Sequence, residues 1–285
     1  RDEDLIEHLI VASTHDFLLF FTNKGRVFRL KTYEVPASSL NAKGVAIVNL
    51  LQLQPEEKVS SVIKIGKKEE KGYLIMATVR GVIKKTAYEQ YKNVRGSGLI
   101  TINLDDGDEL KWIRLTNGNN EIVISSSHGQ AIRFHENDVR PMGRVSRGVR
   151  GIRLRPKDFV IGMDIVADDS NIFVISELGY GKRTKVAQFT AHKRGGVGIR
   201  SAVVNAKTGP LIGVANLTNE FNEVIIISSM GQTIRLGIND ISELGRATQG
   251  VRIMRLNDGD SVVSLALVSS VMKEDEEPGD EKPVK

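Results

Sequence analysis

Residues 129–154 read GQAIRFHENDVRPMGRVSRGVRGIRL, and two glycines in this stretch set its plan. Gly129 is followed four residues later by Arg133, and Gly148 is followed six residues later by Leu154. The first pattern recurs as Gly25 to Arg29, Gly81 to Lys85, Gly179 to Arg183 and Gly231 to Arg235. The second recurs as Gly44 to Leu50, Gly98 to Leu104, Gly198 to Val204 and Gly250 to Leu256. The two glycines stand 19 apart in four copies and 17 apart in the copy that begins at Gly81. A spacing held this often marks a repeat array, with a cation in register with the scaffold.

Within each copy the pattern is that of β-strands. A β-rich apolar run comes first: His8–Phe21, Tyr73–Val79, Glu121–Ser126, Ile172–Ile175 and Glu223–Ile227. A polar turn closed by the first glycine follows, as in Asn23-Lys24-Gly25 and Ser127-His128-Gly129. The next strand alternates, with Phe28 and Leu30, Ile132 and Phe134, and Ile234 and Leu236 on one face and the cation on the other. In the second and fourth copies the apolar position is itself basic, giving Lys84-Lys85 and Lys182-Arg183. A loop leads to the second glycine, which opens another alternating strand, as in Gly44-Val-Ala-Ile-Val-Asn-Leu50. A turn such as Asp105-Asp106-Gly107-Asp108 then precedes a last apolar strand. The reading is four strands per repeat, over residues 8–65, 70–116, 117–167, 168–218 and 219–270. A lone four-stranded blade cannot cover its own faces, so the repeats are expected to stack radially into one all-β, propeller-like domain over residues 1–272.

Hydrophobic residues make up 40% of the 285 and aromatics 5%, so aliphatic side chains fill the core. No apolar run approaches a membrane span and no signal peptide opens the sequence, so no membrane partner is expected. Zero cysteines exclude disulfides and thiolate metal sites and suit a reducing cytoplasm. The net charge is +5. Residues 273–285 hold six acids and three lysines, or −3, which leaves +8 on the body. That tail is too charged to pack and is expected to be disordered. A basic body with an acidic tail points to a polyanionic partner.

Catalytic chemistry is absent from this reading. Gly195-Gly196-Val197-Gly198 and Gly96-Ser97-Gly98 resemble phosphate loops, but neither is followed by Gly-Lys-Ser/Thr or by a helix, so both read as turns. Asp106 with Asp108 and Asp258 with Asp260 occupy equivalent turn positions, where Asp-Gly is favoured for backbone reasons. The five histidines show no ligand spacing. No metal, cofactor or catalytic residue is expected, and the chain reads as a binding domain.

In a disc of equivalent blades, equivalent positions share height and radius. Arg29, Lys85, Arg133, Arg183 and Arg235 would then form an acid-free belt around one rim. Beside them stand Lys31, Lys43, Lys84, Lys92, Arg95, Arg144, Arg147, Lys182, Lys193, Arg194 and Arg246. Such a belt suits duplex DNA held by its phosphates and bent around the edge, with little base readout. At about two phosphates per blade, log K against log salt would slope at roughly −9.

Several segments resemble a known family. They are His8 through Asp16, Gly25-Arg-Val-Phe-Arg29, Tyr33-Glu-Val-Pro36, Ala42 through Leu50, Gly148 through Leu154, Gly179-Tyr-Gly-Lys-Arg-Thr184 and Thr248-Gln-Gly-Val251. Together they look like the C-terminal domain of bacterial DNA gyrase A. The resemblance implies a six-bladed β-pinwheel, of which five repeats are visible here, and DNA wrapped around a basic rim. It further implies a place beside the rest of gyrase A and the ATPase component, gyrase B, in an A2B2 holoenzyme that introduces negative supercoils. The family's active site lies outside this stretch, and the isolated domain is expected to be monomeric. The hallmark Gln-Arg-Arg-Gly-Gly-Lys-Gly box has only a degenerate counterpart, His192-Lys-Arg-Gly-Gly-Val-Gly198. Two other readings are the equivalent domain of topoisomerase IV and a propeller that docks an acidic protein on a basic surface.

Overall fold

Alternation on either side of each first glycine produces an antiparallel hairpin, and the hairpin is the unit from which the molecule is built. The computed structural model describes residues 10–38, 44–66 and 71–269. The first repeat supplies β1 (Phe17–Thr22), β2 (Arg26–Lys31) and β3 (Val59–Ile65). The second supplies β4 (Tyr73–Thr78), β5 (Val82–Ala87), β6 (Leu99–Ile100) and β7 (Leu110–Thr116). The third supplies β8 (Glu121–Ser126), β9 (Gln130–His135), β10 (Val149–Arg150) and β11 (Val160–Val166). The fourth supplies β12 (Asn171–Ser176), β13 (Tyr180–Lys185), β14 (Ile199–Arg200) and β15 (Leu211–Leu217). The fifth supplies β16 (Phe221–Ser228), β17 (Thr233–Gly237), β18 (Val251–Arg252) and β19 (Val262–Ser269). A 3-10 turn follows each hairpin, at Thr32–Glu34, Tyr88–Tyr91, Glu136–Asp138, Val186–Gln188 and Ile238–Asp240.

No four-stranded sheet belongs to a single repeat. The strand orders are β3-β1-β2-β6, β10-β5-β4-β7, β11-β8-β9-β14 and β15-β12-β13-β18, with a three-stranded β17-β16-β19 at the end. The outermost strand of each four-stranded sheet therefore comes from the repeat that follows. The second glycine permits this loan. Gly198 has φ +72°, and a Cβ there would lie 2.4 Å from the carbonyl oxygen of Ala131, on the hairpin it joins. The first glycine of the third repeat is equally tight, since a Cβ on Gly129 would lie 2.4 Å from the Ala202 carbonyl.

The core is divided among the gaps between blades. Leu19, Phe21 and Val27 pack with Leu74, Met76 and Ile113 between the first and second sheets. Ile75, Ala77 and Ile83 pack with Ile122, Ile124 and Phe134 in the next gap. Two further clusters join the third sheet to the fourth and the fourth to the fifth. The free face of the first sheet buries Leu18, Phe20 and Phe28 under Leu51, with Leu50 and Leu53 beside it. Strands β3, β7, β11, β15 and β19 pack in that order along the inner edge.

Three expectations are corrected here. Among the described residues the blades number five, not six, one for each glycine-turn hairpin. Residues 10–16 are not strand, and β1 begins at Phe17 after a turn at residues 14–16; His8, where the apolar run starts in the sequence, lies outside the described residues. The alternating stretch after Gly44 is not a strand: Ile47–Asn49 form a 3-10 turn. Its counterparts each pair with the hairpin of the preceding repeat, and among the described residues no hairpin precedes β1 to receive it. The acidic stretch 273–285 also lies outside the described residues.

Candidate nucleic-acid interface

The cation four residues after each first glycine does not form an acid-free belt. In four repeats it reaches into the loop of the next repeat, around that loop's 3-10 turn. Arg29 donates through Nη1 to the carbonyl of Lys92 and lies 3.6 Å over the Phe17 ring. The Lys85 ammonium, 2% exposed, sits 2.8 Å from Oε2 of the fully buried Glu136. Glu136 also accepts from Thr116 Oγ1 at 2.8 Å and from the amides of Gly118 and Asn120. Arg133 pairs with Glu121 at 3.2 Å and Asp168 at 2.8 Å, and donates to the carbonyls of Val186 and Phe189. Arg183 donates to the Ile241 carbonyl at 2.8 Å and faces Glu243 at 3.8 Å. The fifth repeat has no successor among the described residues. Its Arg235 stays exposed, paired with Glu223 on its own hairpin. Periodicity here reports a latch between blades: a desolvated cation needs partners, and the next loop provides them.

The basic residues one position earlier are deeper still. Lys84 and Lys182 are fully buried. Lys84 Nζ donates to the Thr101 carbonyl at 2.6 Å and to that of Arg144. Lys182 Nζ donates to the carbonyls of Gly245 at 2.6 Å and Arg246 at 2.8 Å, and to Thr248 Oγ1 at 3.1 Å. Burial, helped by the nearby guanidiniums of Arg144 and Arg246, pushes the pKa of both ammonium groups down to about 8. These lysines hold loops down and present no charge to solvent.

The loop cations divide. Lys31, Arg95, Arg147 and Lys193 are exposed, with Arg147 paired to Asp105. Lys92, Arg144, Arg194 and Arg246 are half-buried, and Lys43 lies outside the described residues. Arg194 and Arg246 play one part in successive repeats. Arg194 Nη1 donates to the Arg150 carbonyl at 3.0 Å, and Arg246 Nη1 to the Arg200 carbonyl at 3.1 Å.

Those acceptors belong to residues absent from the sequence-based set. Each outermost strand pairs in the same register. Its second residue, Ile100, Arg150, Arg200 or Arg252, stands opposite the residue just after the first glycine of the preceding repeat. All four are exposed. Arg153 and Arg255, three residues further on, are exposed too. Their spacing of two and five residues from the second glycine is the signal that could have found them. It identifies Arg150, Arg200 and Arg252 as rim residues and, with Arg194 and Arg246, strings guanidiniums from one blade to the next.

The turn acids behave as backbone ligands. Asp108 accepts from the amides of Arg80 and Glu109, and Asp260 from those of Met230 and Ser261 and from Ser229 Oγ. Among the described residues no group of His, Asp and Glu could hold a metal ion. No helix there is long and apolar enough to cross a membrane.

The family profile described as "DNA gyrase C-terminal domain, beta-propeller" matches residues 16–65, 72–117, 120–167, 170–216 and 222–269. The DNA gyrase A protein of Staphylococcus epidermidis (strain ATCC 12228 / FDA PCI 1200) is 42% identical over 271 residues, covering 94% of this chain and 30% of the relative. Its Staphylococcus aureus (strain MRSA252) counterpart is 42% identical over 279 residues, covering 97% and 31%. The chain thus spans under a third of the length of these relatives. Among solved structures, the C-terminal domain of DNA topoisomerase IV superposes with a TM-score of 0.83 at 26% identity, covering 90% of this chain and 80% of that one. The DNA gyrase A C-terminal domain superposes with 0.75 at 25% identity, covering 90% and 83%. A five-bladed array of glycine-turn hairpins with borrowed outer strands, matched blade by blade to one profile, belongs to the DNA gyrase C-terminal domain family.

Proposed function

We propose that this domain is non-catalytic by itself and binds duplex DNA through its phosphates, bending it around the outermost strands. The observation that carries the reading is the shared register of Arg150, Arg200 and Arg252, which puts one exposed guanidinium at the same point of three successive blades. With Arg95, Arg147, Arg153, Lys193 and Arg255 they form a discontinuous track of exposed cations. Lys31 and Arg235, exposed on their own hairpins, would lie beside it. Base readout has no support in the design, since a strand edge with arginine side chains presents neither a recognition helix nor a stacking platform.

Bending a 20–30 base-pair site by 40–90° costs on the order of 1–6 kcal/mol, which contacts spread over several blades can supply together. Within a bacterial holoenzyme containing the rest of gyrase A together with gyrase B, the bent segment would be presented for ATP-dependent strand passage, giving negative supercoils. The test is relaxation of a closed plasmid in the presence of the domain. Wrapping shifts the recovered topoisomers toward positive linking, whereas DNA affinity with an unshifted distribution would refute it.

A further inference from the structure

The track is uneven, and the unevenness is local. Arg80, Arg147, Arg150, Arg153 and Arg194 line one open cleft whose single acid is Asp105. Three repeats meet there: Arg80 is in the turn of the second hairpin, Arg147, Arg150 and Arg153 flank the second glycine of the third repeat, and Arg194 is in the loop of the fourth. The equivalent positions one blade earlier are Lys24, Ser97, Ile100, Asn103 and Arg144, with two cations. One blade later they are His128, Val197, Arg200, Val203 and Arg246, again with two Lys or Arg. The last set, Leu178, Gln249, Arg252 and Arg255, also holds two.

Arg147 is paired with Asp105, and two more of the five guanidiniums are oriented by backbone carbonyls. Arg194 is held through Nε to the Asp138 carbonyl at 2.8 Å and through Nη1 to the Arg150 carbonyl at 3.0 Å. Arg80 is held through Nη1 to the Asp106 carbonyl at 2.8 Å. Each keeps Nη2 without a hydrogen-bond partner among the described residues. The side chains of Arg150 and Arg153 have none there either. Fixed forks lose little rotamer freedom on meeting an anion, and the free pair can close on it.

We propose that this cleft is the anchor of the DNA track, a seat for adjacent backbone phosphates that binds more tightly than the corresponding position of any other blade. The inference rests on the proposed DNA-binding role and sharpens it: bending radiates from one strong point instead of from equal contacts.

The test uses the 285-residue chain and a duplex of about 30 base pairs, a length within the range of bent sites, at fixed ionic strength. It compares R150A/R153A with R252A/R255A, which removes equivalent arginines from the fifth repeat. The cleft pair should weaken binding at least about tenfold more than the control pair, because converging charge-assisted bonds are lost there. Inorganic tripolyphosphate should displace the duplex from the unmodified chain at concentrations that leave R150A/R153A unaffected relative to a matched salt. Equal losses from the two pairs, or equal displacement by tripolyphosphate, would overturn the anchor while leaving the track intact. Unchanged affinity in both variants would remove the anchor and the track together. Thermal melting of each variant confirms that folding is unaffected, since none of the four residues is buried.

Discussion

Lys182 and Arg200 belong to the same repeat and to the same basic pattern, yet they face opposite demands. Lys182 is fully buried, and its three donor contacts fasten the loop of the fifth repeat. Arg200 lies exposed at the outer edge of the third sheet, and its backbone carbonyl is engaged by Arg246 while its side chain faces solvent. One cation is construction and the other is available for recognition. A count of basic residues, or their periodicity, does not separate the two, but the location of their partners does.

The comparison breaks most visibly on the construction side. Glu136→Ala would leave the buried Lys85 ammonium unpaired, and unfolding in urea should show a loss of about 3–5 kcal/mol. DNA affinity of the folded fraction should be unchanged. Lys182→Met strips the Gly245 and Arg246 carbonyls of their donor, so the same measurement should show a loss of about 1–3 kcal/mol at pH 7.

Lys182 also gives the comparison a pH signature. Its folded value of about 8 lies below the ordinary 10.5, so between those values the unfolded chain holds more protons than the folded one. Its contribution to stability therefore rises with pH through that window, and the neutral amine can still donate to both carbonyls. The stability gap between the unmodified chain and Lys182→Met should widen from about pH 7 to about pH 10. A constant gap would mean that the folded lysine keeps its ordinary pKa and is not desolvated.

On the recognition side the effects move to binding. Arg200→Ala should change stability by less than about 0.5 kcal/mol and flatten the salt dependence of DNA binding by about one unit of slope. Smallest is Asp105→Asn, which releases Arg147 from an exposed pair and should tighten DNA binding roughly two- to fivefold at low salt. An unchanged affinity would place Arg147 off the path of the DNA.

Much of this is legible in the sequence. Hairpins follow from alternation plus a glycine that must adopt positive φ, and five such hairpins give five sheets. Two things are not legible, for related reasons. Alternation reveals which side chains share a face but not which strand receives the hydrogen bonds, so it hides the loan of β6, β10, β14 and β18 to the preceding sheet. For the same reason residues 44–50, which alternate as their counterparts do, read as a strand although they form none. The acids that hold the cations also lie mostly in the next repeat, as with Lys85 and Glu136 or Arg183 and Glu243. Along the chain alone, those cations look free.

The borrowed outer strand has a consequence for how the chain is made. As the polypeptide leaves the ribosome, a hairpin can form at once, but its sheet waits for the second glycine of the following repeat. At about 5–20 residues per second, a further repeat takes roughly 3–10 s to emerge. Each blade therefore matures one repeat behind synthesis, with an open edge travelling along the growing chain. Among the described residues that edge reaches β17, whose sheet has three strands.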